Sequence, residues 1–187
     1  MATYHFSAKI IARSNGRSAV AAAAYRSRSI LYDRRRSLTF DYTYRRDLVH
    51  SEILLPENAP HRFADRSTLW NEAEAMERRK DAQVAREIEI ALPIGLSLEE
   101  NVHLVRRFAR KNFIDQGMIA DINVHNKENN PHAHILLTLR IITTEGFGEK
   151  LRQWNGNSIL VRWRQEWAKI QNENVFCVDL APQRVRP

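Results

Sequence analysis

The alternation of apolar and polar residues along the chain predicts five β-strands. They are expected over residues 2–11, 48–55, 85–92, 119–125 and 132–140. Within each strand, odd and even positions place their side chains on opposite faces of a sheet. A short polar loop, residues 126–131, separates the last two strands. We therefore predict that these two strands form an antiparallel hairpin.

Apolar residues at helical spacing predict four helices. They are expected over residues 18–28, 67–80 and 97–116, and around residues 160–170. The first is rich in alanine, follows Ser18 as its N-cap and should pack closely on its neighbours. The third begins with Ser97 and Glu100 as a capping box, and Gly117 follows as a C-terminal stop. Residues 30–47 are polar and rich in arginine, and we interpret them as a long connection.

Strand parity gives the predicted sheet one apolar face and one polar face. The helices are expected to cover the apolar face, because its side chains need burial. The polar face collects histidines, carboxylates and a lysine, which is unusual for a plain solvated surface, and we interpret it as the active face. Its members are His5, Ser7, Lys9, Glu87, Glu89, Asp121, Asn123, His125, His132, His134 and Thr138.

The charge balance indicates a protein that binds a phosphate backbone. Of 187 residues, 29 are Lys or Arg and 22 are Asp or Glu, and the isoelectric point is about 9.9. Clustered basic residues on such a chain favour contact with nucleic acid. The candidate contact residues are Arg34, Arg35, Arg36, Arg45 and Arg46.

Length and cysteine content favour one domain in a reducing compartment. Residues 1–187 can bury one substantial core, and the single cysteine, Cys177, excludes an internal disulfide framework. No apolar run reaches the ~20 residues that span a bilayer, and the first residues lack the layout of a signal peptide. We therefore expect the cytoplasm as the location.

Three of the seven histidines, His125, His132 and His134, lie within ten residues. On a strand, His132 and His134 project from the same face, and His125 arrives from the other side of the turn. Nothing nearby would complete a closed tetrahedral shell around three neutral imidazoles. The cluster therefore predicts a divalent metal site with open positions for water or substrate.

Such a site on a basic protein is suited to phosphodiester chemistry. The metal can polarise a phosphoryl oxygen, or it can generate hydroxide from bound water. In the first role the enzyme needs a separate nucleophile, and an aromatic hydroxyl can form a reversible phosphoester. Tyr25, on the alanine-rich helix, is the leading candidate. Tyr32, two helical turns further on, is either a second hydroxyl or a packing residue.

Several short motifs occur in a fixed order over roughly residues 2–165. The run Pro131-His-Ala-His-Ile135, with His125 upstream, matches a histidine-hydrophobe-histidine motif. The other matching segments are residues 4–9, 16–19, 24–25, 84–88 and 91–93. Together these motifs resemble the HUH endonucleases, and among them the MobA/MobL branch of conjugative relaxases, including the TraA-like and Nes-like enzymes. A histidine pair alone would be weak evidence, whereas the ordered set is specific.

The resemblance implies an α+β fold with a central five-stranded antiparallel sheet and helices packed on it. It also implies site- and strand-specific nicking and rejoining of DNA at a transfer origin (oriT), through a 5′-phosphotyrosine intermediate and a free 3′-hydroxyl. Carried over to this sequence, Tyr25 is the nucleophile, and the three clustered histidines hold Mg²⁺ or Mn²⁺. Glu87 accepts the phenol proton or orients a ligand histidine, and Glu89 is a secondary candidate.

The resemblance further implies the partners of the protein. They are single-stranded or hairpin oriT DNA, together with accessory relaxosome and coupling proteins, and the relaxase is expected to act as a monomer in the bacterial cytoplasm. Many relatives continue into a helicase or another domain. Residues 1–187 are therefore expected to form one nicking-joining domain, either alone or as the N-terminal part of a longer protein.

Three other functions compete with this one. An HUH replication initiator would use the same chemistry at another origin, although initiators commonly carry the tyrosine after the histidines. A histidine-triad nucleotide hydrolase needs a third alternating histidine where this chain has Leu136. A non-catalytic nucleic-acid-binding module with a structural metal is disfavoured by the open ligand set and the available hydroxyl.

Overall fold

A five-stranded antiparallel sheet forms the centre of the molecule. The computed structural model describes residues 5–128 and 130–179, with side chains as far as residue 173. Within these residues the chain forms nine strands and four α-helices. In chain order they are β1 (Phe6–Ala12), α1 (Ala19–Ser27), β2 (Ile30–Asp33), β3 (Leu38–Asp41), β4 (Leu48–Leu54), α2 (Arg66–Ala75), β5 (Gln83–Ala91), α3 (Leu98–Asn112), β6 (Ala120–Lys127), β7 (Asn130–Leu137), β8 (Arg140–Ile142), β9 (Phe147–Lys150) and α4 (Asn157–Asp179).

The large sheet has the strand order β1-β5-β7-β6-β4, and all its neighbouring strands are antiparallel. The predicted hairpin of β6 and β7 is confirmed, and its register pairs His125 with His132 and Asn123 with His134. On the other side of β7, Glu89 of β5 pairs with His134. The α+β fold that the resemblance implied is therefore confirmed, and its register brings the histidines and the β5 carboxylates together.

One face of this sheet is apolar and packs against α3 and α4. Alternate residues of β5, β6 and β7 are buried on this face and share one core with both helices. In that core Phe108 lies 5.4 Å from Trp167, and Phe113 lies 5.2 Å from Trp163, between ring centroids. Edge-to-face pairs of this kind add to the stability gained from burying the rings. The predicted amphipathic character of the last helix is thus confirmed.

The opposite face is polar along only half of its length, which corrects the prediction that helices cover one face alone. Ile11, Ala85 and Leu136 have the same parity as the polar residues, yet they are buried. They form a second core with α1 and α2 that includes Trp70. Along each strand the residues of one parity change from polar to apolar, and alternation alone does not reveal that change. The helices α1 and α2 cover the apolar half, and the histidines lie on the polar half.

The predicted helix starts are confirmed, whereas two ends are shorter than expected. The Ser18 hydroxyl accepts a hydrogen bond from the Ala21 amide, and Ser97 and Glu100 form the predicted capping box. The third helix ends at residue 112, and Gly117 instead ends the 3-10 turn that follows, with φ +84°. The second helix ends at residue 75 rather than residue 80. Among the described helices, none is long and apolar enough to cross a membrane.

Residues 30–47 contain the hairpin of β2 and β3, where we predicted a long connection. On β2 only Leu31 and Asp33 are buried, so the segment is too polar and too short for a clear strand pattern. The Asp33 carboxylate accepts hydrogen bonds from the Ser18 hydroxyl at 2.5 Å and from the Arg36 amide at 3.0 Å. These bonds hold the hairpin against the start of α1.

Two further differences concern the loops and the chain ends. The strands β6 and β7 continue to residues 127 and 130, so their connecting loop is shorter than predicted, and a small hairpin of β8 and β9 occupies the glycine-containing loop near residue 146. The first strand begins at Phe6. Tyr4, which was expected in that strand, and the side chain of Cys177 lie outside the described residues.

Candidate active site

The three clustered histidines converge close to the turn of the β6–β7 hairpin. Their ring centroids are 5.4 Å apart for His125 and His132, 4.9 Å for His125 and His134, and 5.1 Å for His132 and His134. One potential ligand nitrogen of each ring lies within 4.8 Å of those of the other two. The cross-strand register explains this proximity, because directly opposed residues of antiparallel strands have adjacent side chains.

Two of the histidines are oriented by hydrogen bonds through Nδ1. His134 Nδ1 lies 2.8 Å from Glu87 Oε1, and His132 Nδ1 lies 2.8 Å from the Asn130 carbonyl oxygen. Since both partners are acceptors, each Nδ1 is the donor, and in the neutral ring the lone pair lies on Nε2. Metal-binding histidines typically have such a partner behind the ring. The arrangement therefore fits coordination through Nε2 of both residues.

His125 is fully buried and is oriented by the end of α1. Its Nε2 donates to the Arg26 carbonyl oxygen at 2.7 Å. That carbonyl belongs to the last turn of the helix, where backbone acceptors have no partner within the helix. The other nitrogen, Nδ1, lies 3.3 Å from Arg28 Nη2 and 3.9 Å from Asp47 Oδ2. His125 would therefore offer Nδ1 to a metal, in place of the long Arg28 contact.

The protonation of His125 also fits a ligand role. Burial lowers the pKa of this imidazole to about 4, with an additional lowering by the nearby Arg28 charge. A ring with this pKa is neutral at physiological pH, and only neutral imidazole coordinates a metal. Three convergent imidazoles, each with a defined tautomer, thus fit a divalent ion chemically.

Glu87 is buried between the histidine cluster and α1. Its carboxylate accepts hydrogen bonds from Arg26 Nε at 2.6 Å and Arg26 Nη2 at 2.5 Å, in addition to the bond from His134. Burial opposes ionisation, but the bonds from His134 and Arg26 outweigh it and lower the pKa of Glu87 to about 2. A carboxyl group with such a low pKa is a poor proton acceptor in its ionised form, and here both of its oxygens already accept hydrogen bonds. Of the two roles expected for Glu87, the geometry favours orienting His134.

Glu89 lies at the solvent-facing edge of the same group. Its side chain is 26% exposed, and its oxygens lie 3.5 Å from Lys9 Nζ and 3.8 Å from His5 Nε2. Glu87, Glu89 and His134 also place one ligand atom each within 4.8 Å of one another. Glu89 is thus adjacent to the histidine cluster. Its ion pairs are with exposed partners and are therefore weak, so its electrostatic effect on the histidines is small.

Tyr25 lies half-buried on α1, directly before the residue that bonds to His125 and Glu87. Its ring packs edge-on against Tyr42, with 5.1 Å between the centroids. The guanidinium carbons of Arg28 and Arg45 lie 4.6 Å and 4.8 Å from the ring centroid. Cations at these distances are attracted to an aromatic face. Arg28 therefore contacts both the predicted nucleophile and a predicted metal ligand.

The other predicted tyrosine is in a different setting. Because α1 ends at Ser27 and Arg28 adopts a left-handed conformation with φ +51°, the chain leaves the helix before Tyr32. Tyr32 lies instead on β2, where its side chain is 49% exposed and its carbonyl accepts a bond from Asn71 of α2. The expectation that Tyr32 continues the helix two turns beyond Tyr25 is wrong.

The predicted nucleic-acid-binding arginines divide into two groups. Arg34, Arg35 and Arg36 form the exposed turn between β2 and β3, and Arg35 is paired with Glu74 at 3.1 Å. Arg45 and Arg46 are exposed just before β4, and of these Arg45 stacks on Tyr25 as described above. These arginines are therefore on the surface, and Arg45 of the second group contacts the candidate site through Tyr25.

Three residues of the site were missed by the sequence analysis. Arg26 and Arg28 link α1 to the histidines, and Asp47 accepts both hydrogen bonds of the Arg28 fork, at 2.8 Å and 2.7 Å. These bonds lower the pKa of Asp47 to about 2, against the effect of partial burial. No periodic pattern marks these residues, and only their proximity in sequence to Tyr25 and to β4 pointed to the region.

Two residues that we expected on the active face belong instead to a hydrogen-bonded network with α2. Asp121 is fully buried and accepts hydrogen bonds from Arg66 Nε at 2.8 Å and Trp70 Nε1 at 2.9 Å, both on α2. Asn123 donates to the same carboxylate at 2.9 Å and accepts a bond from the Ser51 hydroxyl at 2.7 Å. This polar network attaches α2 to the sheet beneath the second core, and it is structural.

Comparison with known proteins identifies the family. The model of the MobA/MobL family matches residues 17–181. The chain belongs to the MobA/MobL family. It is similar to the conjugal transfer protein TraA of Rhizobium radiobacter, with 44% identity over 160 residues, which are 80% of this chain and 14% of TraA. The resemblance inferred from the ordered motifs is thereby confirmed.

Two further MobA/MobL-family relatives extend the comparison. The mobilization protein MobL of Acidithiobacillus ferridurans is 45% identical over 67% of this chain and 32% of its own length. The probable mobilization protein MobA of Bifidobacterium longum is 31% identical over 99% of this chain and 30% of its own length. The chain thus spans between 14% and 32% of the lengths of these three relatives.

A solved structure shares the same fold. It belongs to work on the molecular basis of vancomycin resistance transfer in Staphylococcus aureus, and it is similar to this MobA/MobL domain with a TM-score of 0.86. The two are 38% identical, and the similarity covers 98% of this chain and 96% of that one. The fold described above therefore extends over nearly all of that solved chain.

Proposed function

We propose that this domain nicks and rejoins one DNA strand at the transfer origin of a plasmid or other mobile element, and thereby initiates conjugative transfer. The observation that carries the proposal is the junction between α1 and the histidine cluster. The helix that bears Tyr25 is hydrogen-bonded through its next residue to His125 and to Glu87. Arg26 thus connects the helix of the proposed nucleophile to the metal-type ligand set. Membership of the MobA/MobL family agrees with this function.

The reaction is a transesterification at the scissile phosphate. The Tyr25 hydroxyl oxygen forms a bond to phosphorus while the bond from phosphorus to the 3′ oxygen breaks. The phenol proton passes to solvent, and the departing 3′ oxygen takes up a proton to become a free hydroxyl. The product is a 5′-phosphotyrosine ester, and attack by a 3′-hydroxyl on that ester reverses the reaction. Because one phosphoester replaces another, rejoining needs no ATP.

His125, His132 and His134 would hold the divalent ion, Mg²⁺ or Mn²⁺. When bound, such an ion polarises a non-bridging phosphate oxygen and offsets the charge that develops during attack. Glu87 keeps His134 in one tautomer and one ring orientation, and the Asn130 carbonyl does the same for His132. The ligand set is therefore oriented before the ion arrives.

Arginines around Tyr25 provide positive charge near the proposed nucleophile. Arg28 is fixed by Asp47 beneath the phenol ring, and Arg45 lies exposed beside the same ring. Positive charge at this position attracts the phosphodiester of an approaching strand. Arg34, Arg35, Arg36 and Arg46 would contact other parts of the single-stranded or hairpin oriT DNA. Accessory proteins of the relaxosome are the expected further partners.

The test is a covalent adduct on a denaturing gel after mixing the protein with labelled single-stranded oriT DNA and Mg²⁺ or Mn²⁺. Tyr25→Phe is expected to abolish the adduct while DNA binding remains within a few-fold of wild type. Tyr32→Phe is the matched control and should retain the adduct, because Tyr32 lies exposed on another element. An adduct that persists in Tyr25→Phe refutes the nucleophile assignment, and an adduct lost only in Tyr32→Phe would transfer the role.

The same gel separates the competing functions. A non-catalytic binding module forms no adduct with any DNA, even though it binds. A replication initiator forms an adduct with the nick sequence of a replication origin and none with a transfer origin. Adduct formation with oriT alone is the result that the proposal requires.

A further inference from the structure

A cleft of about 360 Å³ adjoins the candidate active site along α1. One of its walls is formed by Arg26 and Glu87, the ion pair that orients His134. From there the cleft runs between β1 and the first half of α1, as far as the turn that contains Arg17. The cleft therefore begins at Glu87, the hydrogen-bond partner of His134, and leads away from it along α1.

The charges around this cleft are unbalanced. Four cations line it, Lys9, Arg17, Arg26 and Arg36, whereas Glu87 is the acidic residue among its lining groups. Two of the cations are already paired, since Arg26 bonds to Glu87 and Lys9 lies 3.5 Å from Glu89. The cleft thus carries two guanidinium groups in excess.

Those two guanidinium groups have no carboxylate partner among the described residues. The Arg36 side chain makes a long contact of 3.4 Å to the Gly16 carbonyl and lies 5.7 Å from the Phe40 ring centroid. Arg17 is exposed and forms no hydrogen bond or ion pair within the described part of the chain. A guanidinium presents a planar fork of donors that matches a phosphate. The partner that the cleft lacks is therefore an anion of this shape.

The floor of the cleft has a different chemistry. Ile11, Ala21 and Ala22 provide a small apolar surface between the cations. The volume is within the range of about 300–1,000 Å³ that is typical of small-molecule sites. A nucleotide combines one anionic phosphate with the apolar face of a base, so one nucleotide of a single strand suits both the cations and the floor of the cleft.

We propose that this cleft binds one nucleotide of the cleaved strand beside the scissile phosphate, with its phosphate held by Arg17 and Arg36 and its sugar and base on the alanine floor. The identity of the ligand rests on the proposed function, because a strand held at the histidines would pass close to a cleft whose wall includes Glu87, the hydrogen-bond partner of His134. The cleft would then fix the position of the strand relative to Tyr25. It would also do so without reading the base, because the floor offers no side-chain donor or acceptor.

The test measures binding separately from cleavage. In a Tyr25→Phe background, the affinity for a fluorescein-labelled single-stranded oligonucleotide of mixed sequence is determined by anisotropy between about 50 and 200 mM salt. Each phosphate contact on single strands contributes about −0.7 to the slope of log K against log salt concentration. The double variant Arg17→Ala/Arg36→Ala is expected to make this slope shallower by about 0.7, because both side chains neutralise the same phosphate.

Two matched variants accompany this measurement. Arg107→Ala/Arg110→Ala removes the same charge from α3, across the sheet, and should leave the slope within about 0.3 of the parent. Ala21→Leu fills the floor without changing the charge, and should weaken binding about tenfold, as for the loss of one direct contact. Unfolding curves in urea verify that each variant is folded.

The outcomes are distinct from those of the adduct test. Equal slopes for the two double arginine variants, or unchanged affinity in Ala21→Leu, would overturn the cleft proposal even if wild-type protein forms the Tyr25 adduct. A shallower slope specific to Arg17 and Arg36, together with weaker binding in Ala21→Leu, supports the cleft even if the adduct resides on another residue.

Discussion

Replacing Glu87 by glutamine tests the centre of the proposed site. Glutamine has nearly the same shape and keeps an oxygen that can accept the bond from His134. It loses the charge that pairs with Arg26, whose side chain is only 13% exposed. Its amide group also points donors at a guanidinium that offers only donors. The variant Glu87→Gln therefore isolates the charge of Glu87 from its size.

The expected loss of stability follows from the pKa. Lowering the pKa of Glu87 from 4.5 to about 2 stabilises the folded state by about 3 kcal/mol, because each pKa unit corresponds to about 1.4 kcal/mol. Breaking a buried ion pair by removing one partner typically costs about 3–5 kcal/mol, which agrees. We expect Glu87→Gln to reduce the free energy of unfolding at pH 7 by about 3 kcal/mol. A domain with about 5–15 kcal/mol of stability remains folded.

The pH dependence supplies the sign of the effect. A carboxyl group whose pKa is lower in the folded state stabilises that state fully above its unfolded pKa, here 4.5. This stabilisation is lost as the pH falls from 4.5 toward 2, because the unfolded state then takes up a proton that the folded state does not bind. The difference between wild type and Glu87→Gln is thus expected to be constant above about pH 5 and to shrink below it.

The assay is urea unfolding followed by circular dichroism, in the presence of EDTA so that no metal affects the titration. Glu89→Gln is the matched control, since Glu89 has exposed partners, and it should change the unfolding free energy by less than about 1 kcal/mol. Titration calorimetry with Mn²⁺ should show affinity about 10–100-fold lower for Glu87→Gln. Equal destabilisation by the two variants, or a pH-independent difference, would refute the assignment of a buried, charged Glu87.

Three further predictions concern the metal, its histidine ligands and a helix cap. Excess EDTA should stop nicking and Mg²⁺ or Mn²⁺ should restore it, whereas full activity in EDTA would exclude a metal role. The variant His132→Ala/His134→Ala should keep its helical circular dichroism yet form no adduct, and its unfolding would instead indicate a structural metal. Asp65 caps α2 by accepting a 2.8 Å bond from the Thr68 amide, and bonds from Thr68 lower its pKa. Asp65→Ala should lower the unfolding free energy by about 1 kcal/mol at pH 7 without affecting the adduct. That deficit should shrink as acid protonates the wild-type aspartate, and a constant deficit down to pH about 2 would contradict the assignment.

The features that the sequence predicted correctly all have local or periodic causes. Ser18, Ser97 and Glu100 cap helices through contacts within one turn, so short motifs reveal them. The β6–β7 hairpin joins neighbouring segments. Strand parity therefore placed His132 and His134 on one face, with His125 on the same face of the adjacent strand. The metal-type cluster needed no long-range information. The predicted five-stranded sheet, by contrast, came from the resemblance of ordered motifs.

The predictions that were wrong also share a physical cause. The hairpin of β2 and β3 is short and polar, so its alternation is too weak to distinguish from a connection. The position of α1 and α2 on half of the polar face depends on Ile11, Ala85 and Leu136, three positions on three different strands. Each looks unremarkable in its own strand, and only the assembled sheet brings them together as one apolar surface.

The sequence by itself determined the candidate residues for the chemistry of this protein: three histidines within one hairpin, a tyrosine on a capped alanine-rich helix, and an excess of arginine. Tertiary structure decided how they are connected. Arg26 and Arg28 reach His125 across 99 and 97 positions of the chain, and Arg26 reaches Glu87 across 61. Contacts over such separations follow no period and no spacing rule, because they arise only when α1 packs on the sheet. That packing converts separate candidates into one site.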